Sequence, residues 1–297
     1  MPLGDDTFPR PGKYDIRPVR RRAQYSINHY HKSEWSAEAP LSMQETLEQL
    51  ANGEISVETA EAQLSGYATT EAGRFDAARE QRREIPEAIL AEDKTPAQTA
   101  SLAATAVETT GRAVVTRTNQ EAVDQIRTQI ENEFPGASIE SNRLARTTVV
   151  YADGVDRPAT DATVGVVAAG TADQPAAAEA AVVARETGAT IDRVSDVGVA
   201  NLTRVVDQLD RLREADVLVV AAGREGALST VVAGLVTSPV IGLPVSTGYG
   251  HAGDGEAALS GMIQSCTVLS TVNIDAGFVA GAQAGLISRA VGTAREH

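Results

Sequence analysis

The chain holds a single cysteine, Cys266, directly after Ser265. A thiolate is a strong nucleophile and can leave again, whereas a lone cysteine beside apolar residues also serves as a small buried hydrophobe. Both readings stand on the residues alone. Glu225 lies between Gly223 and Gly226 in AGREGA. A carboxylate there can bind a divalent cation or activate water, or simply be a solvated loop charge. Asp173, two residues before Pro175, reads as a helix N-cap, or as an acceptor for ribose hydroxyls that also helps move a proton. Asp196 precedes the turn at Gly198, where local turn chemistry competes with ligand binding. His251 is the only histidine between His31 and the final residue, which excludes a histidine-cluster metal site in this region. Lys94, the one lysine beyond residue 40, stands beside a capped helix as a phosphate or carboxylate contact, or as an accident of composition.

The elements that must position these residues follow from periodicity. Short Val-rich runs at 163–168, 190–194, 217–221, 240–243 and 269–274 alternate with helical runs at 175–186, 202–213, 227–236, 256–264 and 277–291. Continuous apolar strands are buried on both faces. Regular alternation with helices predicts an α/β fold, a doubly wound parallel sheet in three layers. Ligands bind at the carboxyl ends of such strands. Those ends carry GTADQP, SDVGVAN, AGREGA, PVSTGYGHAGDGE and NIDAG. The loops contribute Thr171, Asp173, Asp196, Gly198, Gly223, Glu225, Gly226, Ser246, Gly248, Asn273 and Asp275. Glycines let backbone amides approach a ligand, and the helix that follows each loop favours an anion, so a phosphate-bearing nucleotide fits. Tight turns alone would explain any one loop; five together point to a site. There is no Walker A motif and no G-x-G-x-x-G after the first strand, so the usual triphosphate and dinucleotide fingerprints are not indicated. Cys266 falls between a helix end and the last strand, on the opposite edge from these loops, where a helix C-terminus disfavours a thiolate.

Upstream, 41–152 reads as a small helical and α+β module. Its signals are an amphipathic segment at 41–52, a short helix at 56–64, and a capping box at Thr95 and Gln98 with Pro96 at the first helical position. A strand at 113–117, a helix at 119–134 stopped by Pro135-Gly136, and strands at 137–140 and 147–151 complete it. The polar segment 152–162 is the expected boundary, with the α/β domain running over 161–297. Residues 1–40, with Pro9, Pro11, Pro18 and Pro40 and no apolar period, read as a disordered tail, or as a nucleotide-binding arm.

Composition sets the outer limits. At 42% hydrophobic but 4% aromatic, the core must be built from Ala, Val, Leu and Ile. Net charge is −14, and arginine supplies 23 of the 26 cations, which fits an acidic surface adapted to salt and a halophilic source. Such a chain is a poor DNA or RNA binder, because phosphate contacts need clustered cations. No run approaches the roughly 18 apolar residues of a membrane span, and no apolar leader follows the N-terminus. One cysteine excludes an intrachain disulfide, and a reducing cytoplasm is the expected compartment.

The runs DVGVANLTR, VVAAGREGAL, VVAGLVTSPVIGLPVSTGYG, Ser265-Cys266 and NIDAGF, in this order, resemble the LarB family. Upstream, LANGEISVETAEAQL, IPEAIL and DKTPAQ resemble that family's N-terminal module, so the resemblance spans about 41–297. LarB is the carboxylase/hydrolase of nickel-pincer-nucleotide biosynthesis, and its C-terminal domain is similar to aminoimidazole ribonucleotide (AIR) carboxylase, the PurE-like fold. The resemblance implies carboxylation of the pyridinium ring of nicotinic acid adenine dinucleotide. Hydrolysis of its phosphoanhydride would then give pyridinium-3,5-biscarboxylic acid mononucleotide and AMP. It implies Cys266 as the covalent nucleophile, Glu225 as the metal-linked or hydrolytic carboxylate, and Asp173 as a catalytic partner. By motif position, Thr171, Asp196, Gly198, Arg204, Gly223, Gly226, Ser246, Gly248, Asn273, Asp275 and Lys94 would bind substrate. Mg2+, CO2 or bicarbonate as co-substrate, and a homo-octamer are implied with them. The chain departs from the family pattern near Asn201, Thr203 and Arg224. A pyridinium ring is electron-poor and needs a thiolate before it can attack CO2, whereas an aminoimidazole ring does not, so a cysteine favours the pyridinium substrate. Aminoimidazole ribonucleotide carboxylase or mutase activity in purine biosynthesis, and a non-catalytic nucleotide-binding regulator, are the alternatives.

Overall fold

The computed structural model of the chain describes residues 43–296; the tail expected over 1–40 lies outside them. The N-terminal module begins with two short helices, α1 (Met43–Ala51) and α2 (Val57–Ser65). An antiparallel hairpin follows, β1 (Ala68–Thr70) with β2 (Gly73–Phe75), then α3 (Arg79–Arg83) and β3 (Ala88–Leu90). Sequence periodicity gives helix throughout this stretch, because three-residue strands are too short to display a period of two. Helix α4 (Pro96–Thr110) starts where its capping box predicts. Thr95 Oγ1 accepts the Gln98 amide at 3.2 Å, and Gln98 Oε1 accepts the Thr95 amide at 3.0 Å. Strand β4 (Arg112–Thr116), helix α5 (Gln120–Glu133) and the hairpin β5 (Ser138–Asn142) with β6 (Thr147–Tyr151) complete a mixed sheet in the order β3-β4-β6-β5.

After residue 162 the chain builds β7 (Thr163–Ala168), α6 (Gln174–Glu186), β8 (Thr190–Ser195), α7 (Thr203–Val206), α8 (Leu209–Glu214) and β9 (Val217–Ala222). It continues with α9 (Ala227–Ala233), β10 (Val240–Pro244), α10 (Glu256–Ile263), β11 (Ser270–Thr271) and α11 (Gly277–Glu296). The five strands are all parallel, in the order β8-β7-β9-β10-β11. The doubly wound, three-layer expectation holds. On one face, the alanines of α6 and α11 pack on Val164, Val166, Val219 and Leu243. On the other, Val205, Leu212, Leu228, Val232 and Met262 from α7 to α10 cover Val167, Leu218 and Val220. Helices α6 and α11 approach closely because Gly277, Gly281 and Gly285 recur every four residues. A Cβ at Gly281 would stand 2.4 Å from the Ala180 carbonyl oxygen.

Several boundaries differ from the periodicity, three of them for a local physical reason. The helix expected over 202–213 breaks at Asp207, where the Gln208 amide bonds only three residues back, to Val205. The last strand shortens to Ser270–Thr271 at the sheet edge, because the Asn273 side chain accepts the Ile274 amide and turns the chain. Helix α11 runs past 291, since Gly292 does not end it but packs against Thr160.

The mixed sheet lies directly on α6, with Val114, Val149 and Tyr151 sharing a buried cluster with Ala178 and Val182. At this seam the Glu186 side chain is 0% exposed. Tyr151 donates to Glu186 Oε2 at 2.6 Å, and Arg112 Nη1 lies 3.3 Å from the same oxygen. Arg112 also makes a bidentate pair with Glu80 at 2.8 and 2.9 Å. A buried carboxylate is tolerated only when paired in this way. Burial, with Glu186 beside it, pushes the Tyr151 phenol up to about 12. No helix among the described residues is long and apolar enough to cross a membrane.

Candidate functional site

The order β8-β7-β9-β10-β11 reverses direction between β7 and β9, and the crevice outside the carboxyl ends of those strands is where open α/β sheets bind ligands. A cleft of about 760 Å³ opens there. Gly170, Asp173, Gly198, Gly223, Glu225, Thr247 and Gly248 are among its lining residues. The loops after β7, β8, β9 and β10 thus meet as their chemistry predicts.

Asp173 holds three of these loops together. Its residue is 6% exposed. Oδ2 accepts the Gly170 amide at 2.8 Å; Oδ1 accepts the Gly223 amide at 3.0 Å and the Thr247 hydroxyl at 2.8 Å. The N-cap reading is therefore corrected: the side chain makes no bond to the first turn of α6 and reaches across to β9 and β10 instead. Gly223 permits this close approach, since a Cβ there would lie 2.4 Å from both the carbonyl oxygen and the hydroxyl of Thr247.

Glu225 is exposed and faces the cleft, just before Gly226, whose left-handed φ of 70° starts α9. Beside it Arg224, also left-handed at φ 53°, stacks over the Tyr249 ring at 4.2 Å. That guanidinium holds the exposed Tyr249 phenol below its ordinary value. His251 lines a smaller lobe with Arg224, Glu225 and Gly248. Among the described residues no group of three or more His, Cys, Asp or Glu converges as a metal site.

Other expected residues lie elsewhere. Asp196 and Arg204 pair with each other at 3.0 Å on a neighbouring surface, not in the cleft. Thr171 is exposed and outside the cleft lining, and Asn273 is exposed and bonds only within its own turn. Lys94 donates to the Leu90 carbonyl at 2.8 Å and borders none of these cavities. Cys266 is exposed, in the loop between α10 and β11, and does not line the cleft. Its neighbour Ser265 accepts from Thr230 at 3.0 Å. Thr230 stands about 5 Å along α9 from Ala227, so the cysteine loop is anchored roughly one turn below the Glu225 loop.

Ser246 and Asp275 fall in a second cavity of about 320 Å³, joined to one another by the Ser246 amide donating to Asp275 Oδ1 at 3.0 Å. This cavity also collects Glu92, Arg117 and Arg146 from the N-terminal module and Glu179 from α6. Sequence reasoning missed these four, and it missed Thr247 and Tyr249. One signal was available: Glu179 is the only charge in the run AAAEAAVVA. Burial pushes its carboxyl up, against the pull of Arg117 nearby.

Residues 67–152 match the family model described as the LarB/PurE-like N-terminal domain, and residues 163–296 match the AIR carboxylase model. An uncharacterized protein of Methanocaldococcus jannaschii is 34% identical over 245 residues, covering 80% of this chain and 93% of its own. Two matched domains in this order, and a relative aligned through both, lead to one assignment: the chain belongs to the LarB/PurE carboxylase family.

Proposed function

We propose that the protein carboxylates the pyridinium ring of nicotinic acid adenine dinucleotide and hydrolyses its phosphoanhydride, releasing AMP and pyridinium-3,5-biscarboxylic acid mononucleotide. The observation that carries the reading is the cleft at the sheet's switch point. Glycine backbone from four loops and the Glu225 carboxylate face one another there. In the chemistry that fits, the Cys266 thiolate adds to ring C4 and the ring nitrogen takes up the electron pair. C5, now the β-carbon of an enamine, attacks CO2. Loss of the C5 proton and departure of the thiolate restore the aromatic ring. Asp173 serves by position, fixing the loops that shape the cleft, rather than by proton transfer.

Mg2+ ordinarily binds through one or two carboxylates plus substrate phosphates and retained waters, which suits the single exposed Glu225. Glu225 would hold the ion, which supplies charge neutralisation at the phosphoanhydride, and the same carboxylate orients the attacking water. Cys266 must arrive from a neighbouring copy in a homo-oligomer, an octamer by family resemblance. The residues around it suit such an interface, since Ile263 is 66% and Val268 95% exposed. The dinucleotide with Mg2+ and bicarbonate should yield AMP and the dicarboxylated mononucleotide; a protein that produces neither under these conditions rules the reading out.

A second reading, aminoimidazole ribonucleotide carboxylase or mutase, is favoured by one observation, that Cys266 lies outside the cleft. It predicts turnover of that ribonucleotide at an unchanged rate in Cys266→Ser.

A further inference from the structure

We infer that the cavity between the N-terminal module and the strand ends is a subsite for a ribosyl phosphate, taking the nucleoside monophosphate half that leaves the dinucleotide; this rests on the dinucleotide reading above. The cavity adjoins the cleft, because Ala172 and Thr247 line both. Its volume of about 320 Å³, against about 760 Å³ for the cleft, suits one nucleoside-sized group rather than a whole dinucleotide.

Its polar groups divide into two kinds. Arg117 is answered by an ion pair with Glu92. Arg146 makes only long bonds to the carbonyls of Thr118 and Arg117, at 3.5 and 3.3 Å, and lies in the field of Glu92 and Glu179. It is the guanidinium free to take a phosphate, for which arginine's planar donors are suited. The carboxylates are of the opposite kind. Glu179 is 6% exposed, and its Oε1 is buried with no hydrogen-bond partner. Buried polar atoms nearly always have a partner; the Phe278 amide and the Thr116 hydroxyl lie on this carboxylate, and a ligand hydroxyl would satisfy the oxygen they leave. Asp275 gives Oδ1 to the Ser246 amide and keeps its other oxygen. One unsatisfied oxygen of Glu179 and the second oxygen of Asp275, beside an arginine bonded only to carbonyls, match vicinal hydroxyls followed by a phosphate. Burial raises the Glu179 carboxyl's pKa against the pull of Arg117. The module would thus hold the departing half while the cleft holds the ring to be carboxylated.

Calorimetric titration of the full chain with AMP and, separately, with adenosine, which lacks the phosphate, tests this. Arg146→Asn suits the left-handed φ of 50° at this position while removing the guanidinium. It should weaken AMP about tenfold or more, the effect of one charge-assisted bond, and leave adenosine within about twofold. Glu179→Gln keeps the shape and should weaken AMP by a few-fold. Equal AMP affinity in all three proteins, equal loss of both probes, or no AMP binding to the wild type overturns the subsite. Binding needs no turnover, so the two proposals separate. Arg146-dependent AMP binding without carboxylated product keeps the subsite and removes the carboxylase reading. Turnover with Arg146-independent AMP binding does the reverse.

Discussion

Replacing Asp173 with asparagine should loosen the loops after β7, β9 and β10 together. The carboxylate accepts from Gly170 at 2.8 Å, Gly223 at 3.0 Å and Thr247 at 2.8 Å. Asparagine offers one carbonyl oxygen and an NH2 group. If that oxygen keeps Gly223 and Thr247, the NH2 faces the Gly170 amide, donor against donor. One charge-assisted bond lost in a buried place costs about 1.5–3 kcal/mol, and the two that remain become neutral bonds of roughly half the strength. The sum is about 3–6 kcal/mol. Thr247→Val removes only the hydroxyl donor and should cost about 1 kcal/mol. Guanidinium unfolding at pH 7 reads both, as a lower midpoint at unchanged slope. Nucleotide affinity should fall with stability, since the clasp shapes the cleft. If Asp173→Asn stays within about 0.5 kcal/mol of wild type and binds nucleotide normally while carboxylation collapses, Asp173 handles a proton and the clasp argument fails.

Gly223→Ala should destabilise by about 1–3 kcal/mol and abolish nucleotide binding. Its Cβ would enter the 2.4 Å gap to Thr247, and a normal thermal melt with intact binding would show that the loops can shift. Tyr151→Phe removes the 2.6 Å donor to buried Glu186, for a loss of about 2 kcal/mol. The neutral phenol's contribution is complete below its ordinary value of 10.0 and is lost as pH rises through about 12, so the gap between wild type and variant should close over that window. A gap independent of pH up to 12 counts against the assignment. Glu179→Gln tests the buried carboxyl. Because its folded pKa is raised above 4.5, the wild type is favoured below that value and loses stability as pH rises through the folded one. The variant should therefore gain on wild type as pH rises above 4.5. A difference that stays flat with pH refutes it.

The central sheet was legible because each strand is a continuous Val-rich run with a glycine loop at its carboxyl end, and the loops converge for the topological reason those ends predict. Less was legible where partners are distant in sequence. The position of Asp173 beside Pro175 signals a helix start, but its actual partners, Gly223 and Thr247, lie 50 and 74 residues away. No local pattern could expose them. Arg117, Arg146 and Glu179 meet only because the mixed sheet packs on α6, so the second cavity is a product of tertiary packing. Lys94 stood out by rarity, yet its ammonium closes a local turn onto Leu90. Cys266 was expected between a helix end and the last strand, and it lies in that loop, outside the cleft lining. The role proposed for it rests on the family resemblance and the demands of a pyridinium ring, and on a second copy that would complete the site.

Intact mass of the full chain, quenched by acid during incubation with nicotinic acid adenine dinucleotide, Mg2+ and bicarbonate, reads that chemistry directly. Thiolate addition predicts a substrate-mass adduct mapping to Cys266, absent in Cys266→Ser, which should also form no dicarboxylated mononucleotide. Unmodified protein, together with wild-type product yield from Cys266→Ser, would contradict it.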